Sequence, residues 1–382
     1  MPGMMATPAN YEETLVHFHK SFGVMQEIFE HRDFVDLSRE LQQCAADGSP
    51  PGCIAGPSFL DLGCAPGGFS ACLLQDNMLG PRSMGYGVSL PPQMGGFQMI
   101  FGSDRLCVQL HDILALNKDD MMCADDSVDL CLADAQYLSS IFKNKQMMQS
   151  RVQYRGTKTR TKSLGIWALT IKECALAFQK LRHGGSFIFR FGWRGIGTTA
   201  ADEHPTGEKV HPSLLEKYLQ EEEWYKALTH WLFSVLKSLF NTLKPFKSEY
   251  VHQADVSFYM VCRGFDRTKY AKAMWEEKLQ RAFEEIFDCD DEAALIAEMK
   301  GQISAKVKAE IDDLLELVGR MRMIGIQSRK ITNPSQFKNK FEDDRDSAQK
   351  SQQPDSQPEK QPEKQPEKQG ASETVPASDV AG

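Results

Sequence analysis

The chain lacks most of the features that would take it out of ordinary soluble chemistry. None of its ten cysteines forms a CxxC pair, and no paired spacing suggests a zinc site or a disulfide framework. No stretch approaches the roughly eighteen consecutive apolar residues that a membrane-crossing helix needs. The opening MPGMMATPAN has no basic run leading into an apolar core, and it lacks the arginine-rich character of a transit peptide. A surplus of positive charge is also missing. With 44 Lys and Arg against 52 Asp and Glu, the net charge of −8 argues against nucleic-acid binding by bulk electrostatics. The expectation is a soluble, intracellular protein of a reducing compartment, with nucleus and cytoplasm both open.

What is present is enough for a substantial core. The 382 residues are 41% hydrophobic and 25% charged, which excludes global disorder. From Phe341 onward the chain holds ten acidic and five basic residues, so the preceding 340 carry only −3 of the total charge. That last stretch repeats QPEK three times (Gln357 to Lys368) and has almost no aliphatic residue. It cannot bury enough apolar surface to offset its ordering entropy, and it reads as a disordered acidic tail, 331–382.

Residues 1–57 read as a helical N-terminal extension, with helical patterning over 10–45 and a loop at Gly48–Gly56. From 58 to 265, strand signals alternate with helices. The predicted strands are Phe59–Leu62, Met84–Leu90, Leu106–Leu110, Val128–Ala133, Ser186–Phe191 and Val256–Cys262. One helix places Leu164, Trp167, Ala168, Ile171, Ala175 and Phe178 on one face, and another runs from about Pro212 to Leu243, stopped by Pro245. This pattern predicts an α/β fold, a doubly wound, mostly parallel sheet covered on both faces. A C-terminal helical region, 266–330, follows. Its apolar stripe Ala271, Met274, Trp275, Leu279, Ala282, Phe283 and Ile286 precedes a second amphipathic run over Ala293–Met323.

The strongest signal is Phe59-Leu-Asp-Leu-Gly-Cys-Ala-Pro-Gly-Gly-Phe-Ser70, a buried strand that ends in a glycine-rich turn and opens a helix. Ligands of open α/β sheets sit at such strand ends. Gly63, Gly67 and Gly68 allow close backbone approach and positive φ. A dinucleotide site calls for GxGxxG, whereas this loop reads GxxxGG with Pro66 inside it. Asp61, directly before the turn, repels phosphate and suits an ammonium group, which favours S-adenosylmethionine. The alternative is an ordinary strand-to-helix turn.

The segment DLGCAPGGFS resembles motif I of the FtsJ-type methyltransferases, which move a methyl group from S-adenosylmethionine to a ribose 2′-hydroxyl of RNA. The resemblance spans roughly residues 58–265 and implies a Rossmann-like methyltransferase fold. It places Asp61, Gly63, Pro66, Gly67, Gly68 and Phe69 around the cofactor. The end of the second strand puts Ser89 where an acidic residue would take the ribose hydroxyls. After the third strand, Asp112 matches an adenine-side carboxylate.

The resemblance also implies a Lys-Asp-Lys-Glu tetrad at the methyl acceptor, since a ribose hydroxyl must lose its proton to attack well. Asp134 takes the aspartate position, and it also borders the cofactor. Arg190 stands at the second lysine position, Ser257 at the glutamate, and Lys20 is a loose candidate for the first lysine. Because arginine stays protonated, Arg190 is a poor base but can orient a hydroxyl or a phosphate. An unaltered cofactor loop beside an altered acceptor site leaves three readings open. One is RNA ribose methylation, another a small-molecule or protein acceptor, and the third a catalytically silent RNA-binding module.

Between 143 and 163 lie Lys143, Lys145, Arg151, Arg155, Lys158, Arg160 and Lys162 with no acid among them. Tyr137 and Tyr154 are near for stacking. The segment reads either as an RNA-backbone contact or as a solvated loop.

Overall fold

The computed structural model describes residues 8–47, 56–135, 162–192, 212–249, 251, 257–288, 297, 299, 301 and 303–331. The QPEK tail, Tyr137, Tyr154 and the basic segment up to Thr161 lie outside the described residues. Two N-terminal helices, α1 (Pro8–Glu30) and α2 (Leu37–Asp47), precede strand β1 (Ser58–Leu62) and the short helix α3 (Gly68–Leu73). Strands β2 (Met84–Ser89), β3 (Leu106–Leu110) and β4 (Val128–Ala133) follow. Helix α4 (Lys162–Lys180) then leads into β5 (Leu181–Gly192), and α5 (Pro212–Leu239) into β6 (Phe240–Phe246) and β7 (Ser257–Phe265). Helices α6 (Arg267–Lys272), α7 (Trp275–Asp288) and α8 (Ala305–Ile331) come last.

The described strands form one seven-stranded sheet in the order β3-β2-β1-β4-β5-β7-β6. All neighbours from β3 to β5 are parallel, and β7 runs antiparallel to both β5 and β6. The expected doubly wound, mostly parallel sheet is therefore present, with helical extensions. Because the chain winds outward from β1 to β3 and then returns to β4, the carboxyl ends of β1 and β4 border the crevice where such sheets hold ligands.

Strand alternation explains both layers and the site. Leu60 and Leu62 of β1, Cys131 and Ala133 of β4, and Phe187, Phe189 and Phe191 of β5 pack with α4, α5, α7 and α8 on one face. Phe59, Leu130, Leu132, Ile188, Tyr259 and Val261 point to the other face, against α1, α2 and α3. By the same parity Asp61, Asp134, Arg190 and Ser257 belong to the α1 face. The first face carries an aromatic cluster, with Phe187 and Phe189 stacked 5.1 Å apart and Phe178 edge-on to Phe187. Burying each such ring contributes about 1.5–3 kcal/mol, which makes this layer the main anchor of the sheet.

Two expectations need correction. The helix expected to reach Leu243 ends at Leu239, and Phe240–Phe246 is a seventh strand, β6. Pro245 therefore does not stop a helix. It sits opposite Met260 in an edge strand, a position that tolerates the missing N–H. The stripe from Ala271 to Ile286 is not one helix either. The chain breaks at Met274, which has φ 52° and is 58% exposed. Leu279, Ala282, Phe283 and Ile286 keep the buried face of α7.

Candidate active site

The turn after β1 is pinned to both neighbouring strands. The backbone N–H groups of Gly63 and Cys64 donate to the Val88 carbonyl at 2.8 and 3.1 Å, and that of Asp134 donates to the Leu62 carbonyl at 3.1 Å. The ends of β1, β2 and β4 are thus locked together, and a cleft opens over them. Its walls include Gly63, Cys64, Ala65, Pro66 and Phe69 from the loop, and Ser89, Asp112, Ile113 and Leu114 from the β2 and β3 ends. Asp134 and Ala135 add the β4 side, and His17 and Ser21 of α1 line it with Phe97. The cleft is open to solvent, and with its mouth it spans about 910 Å³.

Two of the loop glycines take the positive φ expected of them. Gly63 and Gly67 have φ of +89° and +106°, where a side chain is strained. They also let the protein approach itself closely. A Cβ on Gly63 would lie 2.6 Å from the Ala135 backbone, and one on Gly67 would lie 2.9 Å from the Phe101 Cβ. On Gly68 it would meet Ser21 Oγ at 2.1 Å and the Phe18 carbonyl at 2.2 Å. Gly68 is the place where α1 lies directly on the loop, so α1 forms a wall of the cleft because this residue has no side chain. Gly67 and Gly68 do not line the cleft.

Asp61 is fully buried and is not part of the lining. Ser70 of α3 donates its hydroxyl to Oδ2 at 2.7 Å, and Oδ1 has no hydrogen-bond partner among the described residues. Burial, added to by the Asp134 carboxylate and opposed by the Ser70 bonds, pushes Asp61 up to about 7. Burial also raises Asp134, against the opposing pull of Arg190 and the Tyr259 hydroxyl. Behind Ala135, whose N–H donates to Glu173 Oε1 at 3.0 Å, the buried Glu173 is raised well above its ordinary value by burial. A pocket backed by buried carboxylates, one with an orphaned oxygen, suits a cation and repels a phosphate.

The remaining expected residues divide into two groups. Ser89 and Asp112 do line the cleft, and Asp112 also accepts the Leu114 N–H at 3.1 Å, capping a short 3₁₀ turn. Arg190 and Ser257 form a network with Asp134 outside the lining. Arg190 Nη1 lies 3.4 Å from Asp134 Oδ1, its Nη2 donates to Ser257 Oγ at 3.3 Å, and the Tyr259 hydroxyl donates to Asp134 Oδ2 at 3.1 Å. Lys247, just beyond β6, donates to the Ser257 carbonyl. Lys20 is exposed on α1 and does not line the cleft. Three residues earlier, His17 does. Sequence reasoning missed Tyr259, Glu173 and His17. The alternation of β7 could have found Tyr259, which shares a face with Ser257. No signal marked the contact that turns His17 inward.

A parallel sheet with a reversed last strand, a glycine turn after β1 and an acidic residue closing β4 define a methyltransferase fold. The model of the family described as FtsJ-like methyltransferase matches residues 41–192. Over those residues the chain is similar to the FtsJ-like methyltransferases, and the cofactor of this class is S-adenosylmethionine, whose cationic sulfonium and ammonium suit the carboxylates described. No curated protein matches the chain in sequence. Among solved structures, a Haloferax volcanii complex containing the Trm112 methyltransferase activator is 12% identical, with 67% of this chain and 97% of that chain covered and a TM-score of 0.30. Human N-acetylserotonin methyltransferase is 12% identical over 68% and 61% of the two chains, with a TM-score of 0.27. The N-methyltransferase NodS of Bradyrhizobium japonicum is 12% identical over 62% and 99%, at 0.25. Likenesses this distant bear no weight on function.

Proposed function

We propose that the protein transfers a methyl group from S-adenosylmethionine to a ribose 2′-hydroxyl of RNA. The observation that carries this reading is Asp134, a cleft-lining carboxylate at the end of β4 held between Arg190 Nη1 and the Tyr259 hydroxyl. The cofactor supplies an electrophilic methyl group when bound. Asp61 and Asp134 would favour its positive charge, Ser89 can hydrogen-bond its ribose as a neutral partner, and Asp112 faces the adenine side. Arg190, fixed by Asp134 and Ser257, orients the acceptor.

RNA as the partner is further supported by the order of the chain. The basic residues from Lys143 to Lys162 come soon after Asp134 in sequence with no acid among them, a composition that suits a phosphate backbone. Such contacts weaken steeply with salt.

The test is transfer of tritiated methyl from the cofactor to total RNA, protein and small-molecule extracts, followed by alkaline hydrolysis of the RNA. Label in alkali-resistant dinucleotides is the expected result, with a rate that falls steeply between low and physiological salt. Label confined to protein or small molecules assigns a different acceptor. Cofactor binding with no label in any fraction identifies a silent binding module.

A further inference from the structure

We propose that His17 of α1 is the base that takes the proton of the acceptor hydroxyl, an inference that rests on the methyl-transfer reading above. The residues at the tetrad positions leave this role open. Arg190 stays protonated, and its guanidinium is tied to Asp134 and Ser257. Both carboxylate oxygens of Asp134 already accept hydrogen bonds, from Arg190 and Tyr259. The Cys64 thiol in the lining is pushed well above its ordinary value by burial, so it holds its proton. Lys20 is exposed, outside the lining.

His17 has the position and the chemistry. It lines the same cleft as Asp134 and Gly63, with its ring 4.6 Å from that of Phe97, which also lines the cleft. One helical turn further on, Ser21 shares that wall and donates its hydroxyl to the His17 carbonyl at 2.9 Å. The helix is held there by the contact of Gly68 with Phe18 and Ser21, so the imidazole is part of a rigid wall. Its charged surroundings favour the neutral ring. Burial lowers its proton affinity, and the Lys20 charge lowers it further; Glu13 on the same helix opposes them, and Arg190 of β5 adds to the lowering. A neutral imidazole at neutral pH has a lone pair to offer.

In the step assigned to it, the hydroxyl proton moves to the free ring nitrogen of His17 and the hydroxyl oxygen forms its bond to the methyl carbon. The sulfur keeps the electron pair of the broken S–C bond, and the imidazolium afterwards returns its proton to water. The base belongs to the helical extension, so the N-terminal helix completes the active site.

The test follows the His17 imidazole by NMR in the full chain, assigned by its loss in His17→Gln, and titrates it with S-adenosylmethionine or S-adenosylhomocysteine bound. A base that faces the departing methyl group senses the sulfonium charge. Its midpoint is expected to lie lower, by about half a pH unit or more, with the sulfonium cofactor than with the neutral thioether. Equal midpoints overturn the assignment. If neither ligand binds, the cofactor reading fails first and takes this inference with it. In transfer to total RNA, His17→Gln is expected to lose about a hundredfold or more with cofactor affinity kept within about threefold. His17→Lys is expected to regain part of the rate and move the profile to higher pH. Transfer by His17→Gln at the wild-type rate, or a collapse confined to Lys247→Met, overturns the proposal.

Discussion

The two sides of the cleft are built on different terms. On the β1–β3 side the lining is mostly backbone and loop: the pinned turn at Gly63 and Cys64, Pro66, Phe69, Ser89 and Asp112. On the β4–β7 side they are a side-chain network, Asp134 with Arg190, Ser257 and Tyr259. The first side keeps the residues that its family resemblance calls for, except Ser89. The second keeps only the aspartate and replaces a proton-accepting lysine with an arginine. A backbone seat tolerates little change because glycine positions such as Gly63 and Gly68 are filled by neighbouring protein. A side-chain network can be rebuilt, provided that another group takes over the proton.

Substitutions can separate the two sides. The largest effect is expected from Asp134→Asn, which keeps the shape and removes the charge that holds Arg190. Methyl transfer should fall by at least about a hundredfold while cofactor affinity, read by calorimetry, falls less than tenfold. Equal losses in both would mean that the two sides are not separable.

Asp61→Asn should act on the cofactor side alone. Loss of a charged partner is expected to weaken binding by about 10- to 100-fold. It should also change stability with a defined sign. Asp61 is raised to about 7 in the fold, so its contribution to stability is complete below about pH 4 and is lost as the pH rises through about 7. The asparagine variant carries no such loss. Thermal unfolding should therefore show it more stable than the wild type at pH 8 and similar at pH 4.

Gly68→Ala tests the joint between α1 and the loop. A Cβ there would lie about 2 Å from Ser21 and Phe18 atoms of α1, two of them at 2.1 and 2.2 Å, so the helix must move. Overpacking of this kind costs about 1–3 kcal/mol, visible as a lower unfolding midpoint in denaturant. Ser257→Ala should have the smallest effect. It removes one 3.3 Å hydrogen bond from Arg190, worth about 1 kcal/mol, so transfer should fall less than tenfold.

Much of this was legible in the sequence. The six expected strands all appear, because their β-branched and aromatic runs are short and bounded by turn residues. The turn between β1 and α3 was legible because glycine and proline in fixed order after a buried strand leave few alternatives. β6 was not, because Phe240–Phe246 continues the apolar spacing of α5 and its proline reads as a helix stop. Only pairing with β7 makes it a strand. The packing of Gly67 and Gly68 against Phe101, Phe18 and Ser21 was not legible, since a glycine pattern shows that something comes close but not what. His17 was hidden for a related reason. A helix face turns toward a cleft through tertiary contact, which no local pattern encodes.

The most direct test of the account is calorimetric titration of the wild-type protein with S-adenosylmethionine at pH 6 and pH 8. Seating a cation against Asp61 requires the ionised carboxylate, so binding should be tighter at pH 8 and should release protons near pH 7. No detectable binding at millimolar cofactor by a folded protein would contradict it.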